Sequence, residues 1–238
     1  LIVGAGISGI AAAYHLKDKC PGKTFAILEA RDNLGGTWDL FRYPGIRSDS
    51  DMHTLGYKFK PWIDKKSIAD GPRILSYLHE TADENDLRKH IRFNHKVISA
   101  HWSTEAALWS VEVTTPDGTK WISANFLTMC AGYYSYDKGH EVDFPGQETF
   151  KGEIYHPQKW TTDIDYSGKE VVVIGSGATA VTLVPEMAKT AKHVTMLQRT
   201  PTWMFNRPAK DALANFLRKV LPEKLAYRIT RFKNIRMQ

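Results

Sequence analysis

One pattern constrains the fold more than any other feature of this sequence: strand, glycine-rich turn, helix and strand, occurring twice. In the first copy Leu1-Ile2-Val3 runs into Gly4-Ala5-Gly6-Ile7-Ser8-Gly9. A helix from Ile10 to about Lys17 follows, and then an apolar run, Thr24–Leu28, that ends at Glu29. In the second copy, about 171 residues on, Val171-Val172-Val173-Ile174 runs into Gly175-Ser176-Gly177-Ala178-Thr179-Ala180. A helix reaching about Ala188 and a strand His193–Leu197 complete it, followed by Gln198-Arg199-Thr200-Pro201.

Gly4, Gly6 and Gly9 have the spacing G-x-G-x-x-G between a strand and a helix. The first glycine permits the sharp turn, the second lets the backbone approach a diphosphate, and the third lets the helix pack close to the strand. The helix N-terminus then faces the diphosphate with free N–H groups and a partial positive charge. Glu29 lies 20 residues past Gly9, where a carboxylate accepts both ribose hydroxyls of an adenosine and repels a 2′-phosphate. In the second copy Ala180 replaces the third glycine. Arg199 stands 19 residues further on where the first copy has its carboxylate. Arginine pairs with a 2′-phosphate and stacks on adenine. The fold class is therefore α/β with two Rossmann-like dinucleotide-binding domains. The first site is expected to hold an unphosphorylated adenosine cofactor and the second NADPH. Two such sites in one chain point to a nicotinamide and a flavin exchanging hydride.

Between the two copies, residues 31–72 are rich in Gly, Pro, Asp and Trp with little periodicity, and a loop that long is usually functional. Ile74, Leu75, Leu78 and Ala82 mark a helix face. Residues 96–129 read as three antiparallel strands, with Trp109, Val111 and Val113 alternating with polar residues and Pro116-Asp117-Gly118 as a turn. Phe126–Cys130 reads as a further buried strand. The polar stretch 133–168 is a linker. The expected domains are 1–140, a linker at 141–168, and 169–238. After Arg207 two amphipathic helices follow. One carries Leu213, Phe216, Leu217, Val220 and Leu221 on one face; the other starts near Pro222 and uses Leu225, Ile229 and Phe232.

Composition narrows the function classes. The net charge is +6, but the residues from Arg207 onward hold nine Lys/Arg against two Asp/Glu, so the body is nearly neutral and shows no nucleic-acid face. Only two cysteines occur, Cys20 and Cys130, which excludes a disulfide framework, a CxxC pair and a thiolate zinc site, and fits a reducing, cytoplasmic compartment. Lone His53, His79 and His95 carry no metal spacing. No apolar run approaches the ~20 residues of a membrane helix, although the basic amphipathic tail would suit peripheral contact with a membrane surface. A first strand that starts midway reads as a piece of something longer. No feature of the sequence speaks to oligomeric state.

Further residues carry a family resemblance. Glu29 is followed by Gly35-Gly36-Thr37-Trp38 and by Arg42-Tyr43-Pro44-Gly45-Ile46-Arg47-Ser48-Asp49, and the linker contains Phe150-x-Gly152-x-x-x-His156-x-x-x-Trp160. Together these resemble the class B flavoprotein monooxygenases, of the Baeyer–Villiger type. Within that branch Gly35–Tyr57, Val171–Leu183 and Val194–Thr202 most resemble a mycobacterial subgroup. The resemblance implies FAD in the first site and NADPH in the second. It implies O₂ and a small-molecule ketone as substrates, with ester or lactone formed through a C4a-peroxyflavin, and sulfur oxygenation as well. By motif match Ser8, Glu29, Thr37, Trp38, Asp49 and Val97 line the FAD, beside Gly4, Gly6, Gly9 and Gly36. Arg47, Gly175, Ser176, Gly177, Ala178, Thr179, Ala180, Gln198 and Arg199 hold NADP. Asp49 is the expected catalytic carboxylate, and His156 has a structural or hinge role.

Two departures from the family pattern matter. Thr161 follows Trp160 where Pro or Asp is usual, which blurs the line toward flavin-containing monooxygenases that oxygenate N or S. Family members also return to the FAD domain after the NADPH domain. Both domains here are therefore expected to be incomplete on their C-terminal side, with the catalytic arginine beyond Gln238. A pyridine-nucleotide disulfide reductase would need the absent CxxC. A cofactor-binding module without turnover is the remaining alternative.

Overall fold

The computed structural model describes residues 1–140, 142–201, 203–204 and 208–237. Glu141 at the expected linker boundary, Thr202 at the end of one resembling stretch, Arg207 at the start of the tail and Gln238 lie outside them. The elements in chain order are β1 (Ile2–Val3), α1 (Ile7–Lys19), β2 (Ile27–Leu28), α2 (Thr37–Leu40), α3 (Met52–Leu55) and α4 (Gly71–Glu84). Next come β3 (Ile91–Arg92), β4 (Lys96–Ser103), β5 (Leu108–Thr115), β6 (Gly118–Ala124) and β7 (Thr128–Met129). The last are β8 (Glu170–Ile174), α5 (Ala178–Met187), β9 (His193–Leu197), α6 (Ala212–Val220) and α7 (Glu223–Arg236).

The chain divides into two units. Leu1–Leu40 and Ile74–His140 form the first, and Phe41–Arg73 with the described residues after 140 form the second. The segment 41–73, assigned by position to the first domain, thus packs with the second unit.

In the first unit a parallel sheet has the order β3-β2-β1-β7. Ile2 and Val3 pair with Ile27 and Leu28 on one side and with Thr128 and Met129 on the other. Ile10 and Ala13 of α1 are fully buried, and Lys17 and Lys19 complement the helix C-terminus. On α4 the 3.6-residue period places Ile74, Tyr77, Leu78, Thr81 and Ala82 inward, at most 2 % exposed. The antiparallel sheet β4-β5-β6 packs Val111 and Val113 against Leu28, with Val97, Ala100 and Ile122 around them. Its alternation is that of a half-buried meander.

Two strand expectations need correction. The second strand is Ile27–Leu28 rather than Thr24–Leu28, because Phe25 is drawn aside to stack on His90, ring centroids 4.3 Å apart. The expected buried strand at Phe126–Cys130 is an edge strand of two residues, with Phe126 82 % and Met129 62 % exposed. An edge strand pairs on one side only, so its apolar composition does not bury it.

In the second unit β8 and β9 pair in parallel from Glu170↔His193 to Ile174↔Leu197. The linker fingerprint folds locally. The Phe150 ring lies where a Cβ on Gly152 would sit, 2.5 Å away. His156 Nδ1 accepts from the Gln158 N–H at 3.2 Å, capping the short turn Pro157–Lys159. Trp160 packs between Tyr155 and Tyr166.

The tail helices carry apolar residues outward. Their buried side is made of small and polar residues, Ala214, Ala226, Thr230 and Asn234, while Leu213, Phe216, Val220, Ile229 and Phe232 face outward. Three basic residues of the tail make specific bonds. Arg218 donates to the Asp64 carbonyl (3.2 Å), Arg231 to the His53 carbonyl (2.8 Å), and Lys233 to Asp211 (2.6 Å). Among the described residues no helix is long and apolar enough to cross a membrane.

Candidate functional site

The first glycine turn opens onto a cleft of about 760 Å³, within the size range of cofactor sites. Gly4, Gly6, Ser8, Glu29, Gly36, Thr37, Trp38 and Val97 all line it. Eight positions read from sequence thus come together around one space, all within the first unit. Gly9 does not line it. A Cβ there would lie 1.9 Å from the Gly4 carbonyl oxygen, so this glycine serves the contact of α1 with the turn.

Glu29 is 4 % exposed, and its two oxygens receive the Ala5 N–H at 2.7 Å and the Arg31 N–H at 3.0 Å. These bonds aim the carboxylate and leave lone pairs on both oxygens. Four lining residues carried no sequence signal: Arg31, Lys96, Tyr136 and Asp137. Arg31 pairs with Asp39 through Nη2 at 2.7 Å, and Asn33 donates to the other oxygen of Asp39 at 2.8 Å. The Arg31 guanidinium lies 5.8 Å from the Tyr136 ring centroid. Burial, with the Glu29 charge adding to it, raises the Tyr136 phenol above its ordinary pKa, although a hydrogen bond with Thr37 works against the rise. Lys96 spans both oxygens of Asp137 at 3.0 Å. Burial raises the Cys130 thiol, so the cysteine in the wall stays protonated at neutral pH.

The second glycine turn lies in the second unit and is open. A Cβ on Gly175 or Gly177 would meet nothing within 4 Å. Ser176 Oγ donates to the Thr200 carbonyl at 3.1 Å, fixing the turn to the end of β9. Gly177, Ala178, Gln198 and Arg199 are exposed, Ser176 and Thr179 are half-buried, and Ala180 is buried.

The loop carrying Arg47 and Asp49 packs on this turn's helix. Tyr43 hydrogen-bonds Thr179; burial raises its phenol pKa, and the Asp49 charge adds to the rise. Gly45 has φ +75°, and a Cβ there would lie 3.1 Å from Glu186 Cβ and 3.2 Å from the Thr182 carbonyl. Ser48 is buried between exposed Arg47 and Asp49, its N–H bonded to the Ala69 carbonyl. Asp49 is not among the residues lining the first cleft. The next residues are anchored by α7. Asp51 caps α3 and accepts from Asn234 Nδ2 at 2.8 Å. His53 is 3 % exposed, and burial lowers its pKa against the pull of Asp51 and Asp211.

Comparison with known proteins places these features in one family. The model of the flavin-binding monooxygenase-like family matches residues 61–232. The chain belongs to that family. A second model, the NAD(P)-binding Rossmann-like domain, matches residues 2–63. Among family relatives, the FAD-containing monooxygenase EthA of Mycolicibacterium smegmatis is 56% identical over 99% of this chain and 48% of its own length. The chain therefore spans about half the length of the curated relatives it matches. Of solved structures, OTEMO in complex with FAD and NADP is 35% identical with a TM-score of 0.72, covering 85% of this chain and 39% of that one. Oxidized steroid monooxygenase bound to NADP is 35% identical with a TM-score of 0.74, covering 85% and 38%.

Proposed function

We propose that this chain supplies the FAD- and NADPH-binding portion of a Baeyer–Villiger monooxygenase. The observation that carries the reading is the opposite charge at two otherwise equivalent turns. A buried carboxylate, Glu29, ends the strand after the first, and an exposed guanidinium, Arg199, ends the strand after the second. The first accepts ribose hydroxyls and the second pairs with a 2′-phosphate. Relatives named as FAD-containing, and solved relatives bound to FAD and NADP, support it. The lining of the first cleft suits FAD, because Gly6 and Gly36 approach each other in its wall and Ile7 and Ser8 bring the N-terminus of α1 to it.

In this reading residues 1–140 supply the FAD domain, apart from the segment 41–73 that packs with the second unit, while 141–168 is the linker and 169–238 the NADPH domain. The bound pair supplies hydride transfer and activation of O₂. Glu29 holds the adenosine ribose, and Ser8 with the N–H groups of α1 holds the diphosphate. Thr37, Trp38 and Val97 bound the cleft. Ser176, Thr179, Gln198 and Arg199 hold NADPH, with Arg47 beside them, and Asp49 is the catalytic carboxylate. The reaction of the whole protein is insertion of one oxygen next to a ketone carbonyl, giving an ester or lactone. Thr161 after the fingerprint Trp160 favours, as a second reading, oxygen transfer to sulfur or nitrogen.

This chain alone is expected to bind FAD weakly or not at all, so the test is the flavin absorbance of the whole protein that carries it, with added FAD, followed anaerobically as NADPH or NADH is supplied. Uptake of FAD and bleaching by NADPH in preference to NADH are expected. Failure to take up FAD, or bleaching equally by both nucleotides, overturns the assignment of the sites.

A further inference from the structure

The first cleft contains an arginine whose hydrogen-bonding capacity is not used up by the protein. Arg31 Nη1 is one of two buried side-chain polar atoms among the described residues without a partner; the other is Asn234 Oδ1 in the second unit. Guanidinium N–H groups are donors only, and a buried one without an acceptor is unfavourable. Arg31 cannot easily relieve this by moving. Its backbone N–H is bonded to Glu29, and its Nη2 pairs with Asp39, which is only 2 % exposed and held in turn by Asn33. Its flat face is covered by Tyr136. The side chain is about a quarter exposed (26%), and Arg31 lines the cleft next to Glu29.

We infer that Arg31 is a nucleotide-binding residue whose free donor is reserved for an acceptor oxygen at the adenosine diphosphate end of the ligand. This rests on the reading that the first cleft holds FAD. The buried Asp39 balances the guanidinium charge and is met through Nη2, so Nη1 stays available for a second acceptor. Nothing in the G-x-G-x-x-G spacing or in the Glu29 position requires an arginine here.

ADP and FAD are the probes, titrated calorimetrically into the whole protein that carries this chain and into its Arg31→Met and Arg31→Lys variants. Arg31→Met is expected to weaken both probes by the same factor, about tenfold or more, because the contact lies in their shared half. Arg31→Lys keeps the charge without the fork and is expected to fall between. A folded Arg31→Met that binds ADP as tightly as the unaltered protein overturns the inference and leaves the cofactor assignment standing. If the unaltered protein binds neither ADP nor FAD, both readings fall. If Arg31→Met does not fold, as judged by circular dichroism, phenylglyoxal labelling of Arg31 in the unaltered protein decides. Protection by ADP, read by peptide mass spectrometry, is expected; labelling that saturating ADP does not slow overturns the inference.

Discussion

The two glycine turns differ in what their glycines are for. In the first, Gly9 lies so close to the Gly4 carbonyl that a Cβ would overlap it at 1.9 Å. In the second the matching residue is Ala180, buried and carrying its Cβ without difficulty, and Gly175 and Gly177 face open space. One motif thus serves two physical demands. The first turn is fixed by packing, whereas at the second only the φ of +122° at Gly175 demands a glycine of the fold. Gly177 has ordinary extended backbone and room beside it, so what its lack of a side chain provides is space for a ligand.

Substitution sharpens this contrast. Gly9→Ala is expected to have the largest effect, about 3 kcal/mol or more of lost stability, read from the denaturant midpoint; a loss below 1 kcal/mol would mean that α1 is free to shift. Glu29→Ala strands the Ala5 and Arg31 N–H groups. It should cost about 2–3 kcal/mol and weaken FAD binding, both measurable on the same sample. Gly177→Ala should change stability by no more than about 0.5 kcal/mol while weakening NADPH. Arg199→Ala should likewise leave the melting temperature unchanged. It should lower the preference for NADPH over NADH about tenfold, near 1.4 kcal/mol, measured from nucleotide titrations. Unequal stability losses at Gly9 and Gly177 support the comparison, and equal losses break it.

The smallest expected effect depends on pH. Burial holds the His53 pKa in the folded chain below its unfolded value, with Asp51 and Asp211 opposing and Arg218 and Lys233 assisting. Well above pH 7 His53 is neutral in both states. As pH falls through the unfolded value near 6.5, the unfolded chain takes up the proton first, so stability falls. His79 shifts the same way, from burial and from Arg88. The melting temperature should therefore drop between pH 7 and pH 5, and His53→Phe should flatten part of that slope.

What was legible in the sequence is local. Glycine spacing marks both turns, and alternation at Trp109, Val111 and Val113 marks the meander strand β5. The outcome for the tail shows the limit. The period of Leu213, Phe216 and Val220 says which residues share a face, but not whether that face is covered, and in the structure it is exposed. The burial of Asn234 depends on Asp51, a partner 183 residues away that no window of α7 contains. Arg31 and Tyr136 escaped for the same reason. Each belongs to the cleft through a spatial neighbour, Asp39 for one and Thr37 for the other, rather than through a repeat or a spacing.

The bonds from α7 to the loop at residues 51–54 also set a schedule. At ribosomal rates of about 5–20 residues per second, the 183 residues between Asp51 and Asn234 take roughly ten to forty seconds to appear. Until then Asp51 lacks the Asn234 amide and the His53 carbonyl lacks Arg231. The four described strands of the first unit's parallel sheet all lie before residue 140. The nascent chain can therefore bring together the residues that line its first cleft, the last of them Asp137, while the loop bearing Arg47 and Asp49 is still waiting for α7 to be synthesised.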